Sequence, residues 1–144
     1  MGISVEDAGR DAGRGTYTLI MLLREPRRLK IGALGELYFS EGYYAYTGSA
    51  LGGGGFARVR RHKAVASGKN RTRQWHIDYL LPYVEVVEVA TSPRPECTVA
   101  SDIDRLMAGV PGFGCSDCRC PTHLHYSEDL EKMRKAVNEA HHVV

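Results

Sequence analysis

Apolar residues in this chain fall in short runs separated by glycine, proline and charge. Residues 17–23 are apolar almost throughout and bounded by charge, which predicts a buried strand. Glu25 and Pro26 begin a turn. Residues 29–39 carry a second strand signal, interrupted by Gly32 and Gly35. After a turn at Glu41 and Gly42, the aromatic stretch 43–48 predicts a third strand. Strands joined by short turns imply an antiparallel sheet. The glycines at 52–55 end that strand. Residues 56–66 have helical spacing, with Arg58 and His62 one turn apart. A polar basic loop follows at 67–73, then a short helix or turn at 74–81 and a strand at 84–90. Pro93 and Pro95 lead into a helix from Glu96 to about Met107, with Val99, Ile103, Leu106 and Met107 as its apolar stripe. Residues 109–126 form a loop rich in Gly, Cys and His. Ser127, Glu128 and Asp129 open a last helix lined by Leu130, Met133, Val137 and Ala140. The expected fold is α/β of the α+β kind: an antiparallel sheet of three to four strands flanked by helices. Residues 1–14 are expected to be a flexible lead-in, and 15–144 a single domain without internal repeats.

A chain of 144 residues suits one domain and buries a core of its own. No apolar run approaches the roughly 20 residues of a membrane span, and 1–14 has no signal-like apolar region. The expectation is a cytoplasmic protein with reduced thiols and no membrane partner. Charge changes the picture more. From Gly42 to Ile77 there is no Asp or Glu, but seven basic residues: Arg58, Arg60, Arg61, Lys63, Lys69, Arg71 and Arg73. The rest of the chain holds twelve basic and seventeen acidic residues. Positive charge so concentrated points to a polyanionic partner.

Cys115, Cys118, Cys120, His123 and His125 are metal-ligand types at short spacing, so Zn²⁺ is a candidate structural cofactor. Their spacing is not that of a standard two-knuckle site. Cys97 is an alternative partner, and buried thiols packing a Gly-rich loop are the plain alternative.

Gly15-Thr16-Tyr17 and Tyr46-Thr47-Gly48 resemble the paired motifs of GIY-YIG nucleases. Arg58 followed four residues later by His62 is similar to that superfamily's helix, and Glu96 stands where its metal-binding carboxylate falls. Residues 74–80 and 112–118 look like one little-characterised archaeal and bacterial branch, found alone or joined to an endonuclease III type glycosylase. The resemblance covers roughly 15–126. Departures are the spacing of 29 positions from Tyr17 to Tyr46, Thr47 in place of Ile, Ser49 where many relatives carry Lys, and no evident late Asn.

The resemblance implies a Mg²⁺- or Mn²⁺-dependent endonuclease acting on DNA, with RNA left open, in repair or recombination alongside repair proteins. In that reading Glu96 is a hard oxygen ligand and Arg58 clamps the scissile phosphate. Tyr17 or Tyr46 lies near the attacking water, and His62 holds a proton or a phosphate oxygen. The plain readings are a helix-start Glu, a solvated Arg, two half-buried sheet tyrosines and a surface His. Tyr44 is either a partner or packing. Arg60, Arg61, Lys63, Lys69, Arg71 and Arg73 are expected to touch phosphates. His76 and Asp78 either pair near the site or orient a helix, and the second is favoured. The alternatives to a nuclease are a noncatalytic nucleic-acid-binding module on the same scaffold and a zinc-braced adaptor.

Overall fold

The computed structural model describes residues 2–3, 15–50, 55–114 and 120–142. Cys115, Cys118, the bend at 52–54 and most of the 1–14 segment lie outside the described residues. In chain order the strands are β1 (Gly2–Ile3), β2 (Thr16–Leu23), β3 (Arg27–Lys30), β4 (Glu36–Phe39), β5 (Gly42–Ser49), β6 (Glu85–Ser92), β7 (Ala108–Gly109) and β8 (Leu124–Ser127). The helices are α1 (Ala57–Ala66), α2 (His76–Leu80), α3 (Glu96–Asp104) and α4 (Leu130–His141). No helix among the described residues is long and apolar enough to cross a membrane.

The sheet is built outward from β2. Leu19, Ile20 and Met21 are consecutive and all fully buried, because helices cover both faces of this strand. β2 pairs antiparallel with β5 and β6, and the full order is β1-β6-β2-β5-β8-β7. The expected antiparallel sheet flanked by helices is present. Within the segment expected as a lead-in, Gly2 and Ile3 pair with Ala90 and Val89. The 29–39 signal is a hairpin: β3 and β4 pair only with each other, off the main sheet. The 109–126 segment is not loop throughout. Its last residues form β8, which pairs with β5 through Tyr46 and Leu124. Period-2 patterning over so short a stretch carries little signal, and the cross-strand partners lie far away in sequence.

The pleat sorts side chains between two cores. Tyr17, Leu19 and Met21, with their partners Gly48, Tyr46 and Tyr44, face α1 and α2. Ile20, Ala45 and Ala90 face Val99 and Ile103 of α3 and Met133, Val137 and Ala140 of α4. α1 turns Val59, His62 and Val65 inward. α3 stops at Asp104, short of the expected Met107, and Leu106 is exposed as the chain turns into β7. α4 is capped by Asp129, whose carboxylate accepts from the N–H groups of Glu131 and Lys132. Under the sheet, the Thr18 and Ser92 hydroxyls each lie 2.7 Å from a ring nitrogen of buried His141.

Candidate functional site

The site lies where β2 begins and β5 and β6 end. In the ladder Tyr17 is opposite Gly48 on one side and Thr91 on the other. The Tyr17 ring lies across Gly48: a Cβ there would come within 2.4 Å of the phenol oxygen. Gly15, just before β2, has φ +143°, and a Cβ on it would lie 2.2 Å from the Ser92 carbonyl. Both motif glycines are therefore required by close approach.

Tyr17 Oη is 2.7 Å from His62 Nε2. The ring of Tyr46 is 6.4 Å from that of Tyr17 and 6.0 Å from that of His62. Burial pushes the Tyr17 phenol well above its ordinary pKa; Tyr46 adds to this and Arg58 opposes it. Burial, helped by the Arg61 charge, lowers His62 to about 4. At neutral pH His62 is therefore uncharged and Tyr17 keeps its proton. The consistent arrangement has Tyr17 donating to Nε2, with the imidazole proton on Nδ1. That Nδ1 is buried and meets no hydrogen-bond partner among the described residues.

Trp75 organises the cations. The Arg58 and Arg61 guanidinium carbons lie 5.0 and 4.3 Å from its ring centre, and His62 meets it edge-on. Arg58 also donates to the Ser49 carbonyl, 2.9 Å away. Arg61 differs from its expected role as a phosphate contact: both ends of its fork bind the Asp78 carboxylate, at 2.9 and 3.0 Å. Asp78 is fully buried and also accepts from the N–H groups of Gln74 and Trp75. Burial pushes this carboxyl up, but the Arg61 fork and the two N–H groups outweigh it and hold it below its ordinary value. The alternatives for His76 and Asp78 resolve against a mutual pair. His76 Nδ1 instead accepts from the Gly114 N–H at 2.8 Å. A hollow of about 140 Å³ lined by Tyr46, Gln74, Trp75, His76 and Gly114 opens beside the site. A larger one, about 520 Å³, lies at the far end of β2 near Leu23 and Gly42 and contains none of the expected residues.

Glu96 is the first residue of α3, where a carboxylate is favoured by the helix dipole. It follows β6, whose last residue Ser92 pairs with Thr16. Glu96 therefore starts at the same sheet end as Tyr17, and its charge acts on the Tyr17 hydroxyl. Its Oε2 is 3.1 Å from Nδ1 of His123, which is also 2.9 Å from the Thr47 carbonyl. Tyr17, Tyr46 and His62 are thus in mutual contact, and both Arg58 and Glu96 act on Tyr17. Lys69, Arg71 and Arg73 are exposed between α1 and α2; Arg60 is exposed and Lys63 half-buried on α1. Tyr44 is packing: its hydroxyl donates to the Ser40 carbonyl and its ring lies on Tyr126.

Residues 16–144 match a family described as a domain of unknown function, DUF123. The chain belongs to that family. No curated protein and no solved structure matches it.

Sequence reasoning passed over Trp75 and gave Cys97 only a secondary place. Trp75 sits in an apolar stretch with no periodic signal that distinguishes a platform from core. Cys97, beside Glu96, is disulfide-bonded to Cys120, in contrast to the expectation of reduced thiols. Of the expected zinc ligands, Cys120, His123 and His125 are described; Cys120 and His123 lie together with Cys97, whereas His125 Nε2 is 3.0 Å from the Asp104 carboxylate.

Proposed function

We propose that this member of the family is a cytoplasmic, divalent-metal-dependent endonuclease that hydrolyses phosphodiester bonds in DNA during repair or recombination. One observation carries the reading. A buried Tyr17–His62 hydrogen bond lies within the fields of a cation, Arg58, and a carboxylate, Glu96. A phosphodiester needs groups of these kinds: a cation for the phosphate, a proton acceptor for water and an anion to hold a metal.

Glu96 offers a single carboxylate with partial solvent access, 28% exposed, which fits an ion that keeps most of its waters. A Mg²⁺ or Mn²⁺ ion held there supplies charge neutralisation for the phosphate. Arg58, steadied by the Ser49 carbonyl and the Trp75 face, binds phosphate oxygens. Arg61 is a positioning residue, locking α1 to Asp78. Tyr17 is protonated at rest, so it serves as a relay. It gives its proton to Nε2 of His62 as it takes one from water. The exposed Lys69, Arg71 and Arg73 carry the nucleic acid past the site.

The test is cleavage of labelled duplex, nicked and branched DNA, and of matching RNA, with Mg²⁺ or Mn²⁺. Arg58→Ala should slow cleavage by about 10²–10³-fold, and Glu96→Ala should abolish it without loss of fold. A wild type that cuts no better than Glu96→Ala removes the nuclease. A noncatalytic binding module is the second reading. It is favoured by the burial that keeps Tyr17 protonated and His62 neutral. Trp75 is the chain's one tryptophan, so its fluorescence reports binding at the site separately from cleavage.

A further inference from the structure

Cys97 opens the second position of α3, Cys120 precedes β8, and His123 lies just before that strand. The two cysteines are 23 positions apart in the chain, yet their Cα atoms are 5.9 Å apart. One ligand atom from each of the three residues lies within 4.8 Å of the other two. Cys120 and His123 are buried, 8% and 2% exposed. Two sulfurs and an imidazole at this separation are a soft donor set of the kind zinc selects. The His123 imidazole is anchored at one ring nitrogen. Its Nδ1 faces the Thr47 carbonyl at 2.9 Å and the Glu96 carboxylate at 3.1 Å. Carbonyl and carboxylate partners of this kind are the outer contacts that accompany metal-binding histidines.

We propose that Cys97, Cys120 and His123 are three protein ligands of a structural zinc site, formed when the Cys97–Cys120 disulfide is reduced. A phosphine attacks one sulfur and breaks the S–S bond, giving up two electrons; water supplies the two thiol protons and its oxygen leaves on the phosphine oxide, so two thiols remain. Zinc binding then displaces the two protons and leaves two thiolates on the ion. This assignment differs from the ligand set expected from the Cys115-to-His123 spacing, because it requires Cys97. The bound ion ties the start of α3 to the approach of β8 and holds Glu96 against the sheet. The inference rests on donor geometry and stands apart from the cleavage reading.

The full chain, reduced with a phosphine without oxygen and stripped of metal, is titrated with Co²⁺ and then Zn²⁺. One cobalt per chain with thiolate-to-metal charge-transfer absorption, displaced by one zinc, is expected. Cys97→Ser and Cys120→Ser should each lose that absorption. Absence of the thiolate band in the reduced wild type overturns the site, as does its full retention in Cys97→Ser. Because these variants can fail to fold, wild-type protein is also alkylated with iodoacetamide, with and without zinc, and each cysteine is read by peptide mass spectrometry. Zinc should protect Cys97 and Cys120 together. Alkylation of Cys97 at the metal-free rate in the presence of zinc overturns the proposal by itself.

Discussion

Gly48 shows how little chain chemistry the site tolerates at its centre. Its missing side chain is the space that the Tyr17 ring occupies across the strands, as aromatic residues often cover sheet glycines. Gly48→Ala should displace that ring and cost about 1–3 kcal/mol through overpacking, read by urea unfolding. A fully stable variant with the Tyr17–His62 contact intact would contradict this. Tyr17→Phe keeps the ring and removes the hydroxyl, leaving His62 Nε2 buried without its 2.7 Å partner. The expected loss is about 1–3 kcal/mol. NMR titration of His62 supplies the check, since an unchanged imidazole environment would mean that the bond is not made. The motif glycine was legible in the sequence as part of a pattern. Its physical reason was not, because the ring it accommodates arrives from another strand.

At the scale of elements, α1 and α2 are joined by one ion pair. Asp78 is fully buried, caps the start of α2 through the Gln74 and Trp75 N–H groups, and receives both ends of the Arg61 fork. Removing Asp78 leaves the half-buried Arg61 fork unmatched and takes the acceptor from the Gln74 and Trp75 N–H groups. Asp78→Ala should therefore cost about 3–5 kcal/mol. A double-mutant cycle with Arg61→Ala should return a clear coupling energy, and simple additivity would show the two residues to be independent. The orienting role of Asp78 could be read from its place near a helix start. Its partner could not, because an Arg in an unopposed basic run looks like a phosphate contact until α2 is folded against it. The strand β8 is the opposite case: four residues that carry no strand signal of their own are ordered by pairing with β5.

For the whole molecule, buried histidines set the acid limit. Burial lowers His62 and His141 to about 4, and His76 and His125 move in the same direction. Unfolded histidines bind protons below about 6.5, whereas the folded ones resist until about 4. The unfolded chain binds more protons between those values, so stability should fall as pH drops from about 6.5 to 4. The drop should be on the order of 3 kcal/mol for each of the two. Asp78 does not contribute in that window; its stabilisation is lost only at lower pH, beneath the ordinary carboxylate range. Unfolding free energy measured against pH checks the sign, and a flat profile over that interval would be inconsistent with buried neutral His62 and His141. The basic segment makes a separate prediction for binding. Arg71 is exposed, so Arg71→Ala should weaken DNA binding on all sequences alike and reduce the salt slope by about one.

Local chemistry in the sequence was enough for the main strands, for three helices to within a few residues, for the concentration of positive charge and for most of the residue types at the site. Runs of apolar residues, caps and prolines act through near neighbours, so they can be read without a fold. Tertiary structure decided which strands pair, that the 27–39 segment stands off the sheet, that Arg61 serves Asp78, and that Cys97 and His123 meet beside Glu96. Each of these depends on contacts between residues distant in the chain. Tyr17 is the junction of the two kinds of information. Its motif is local, but its burial and its bond to His62 exist only once α1 has packed on β2.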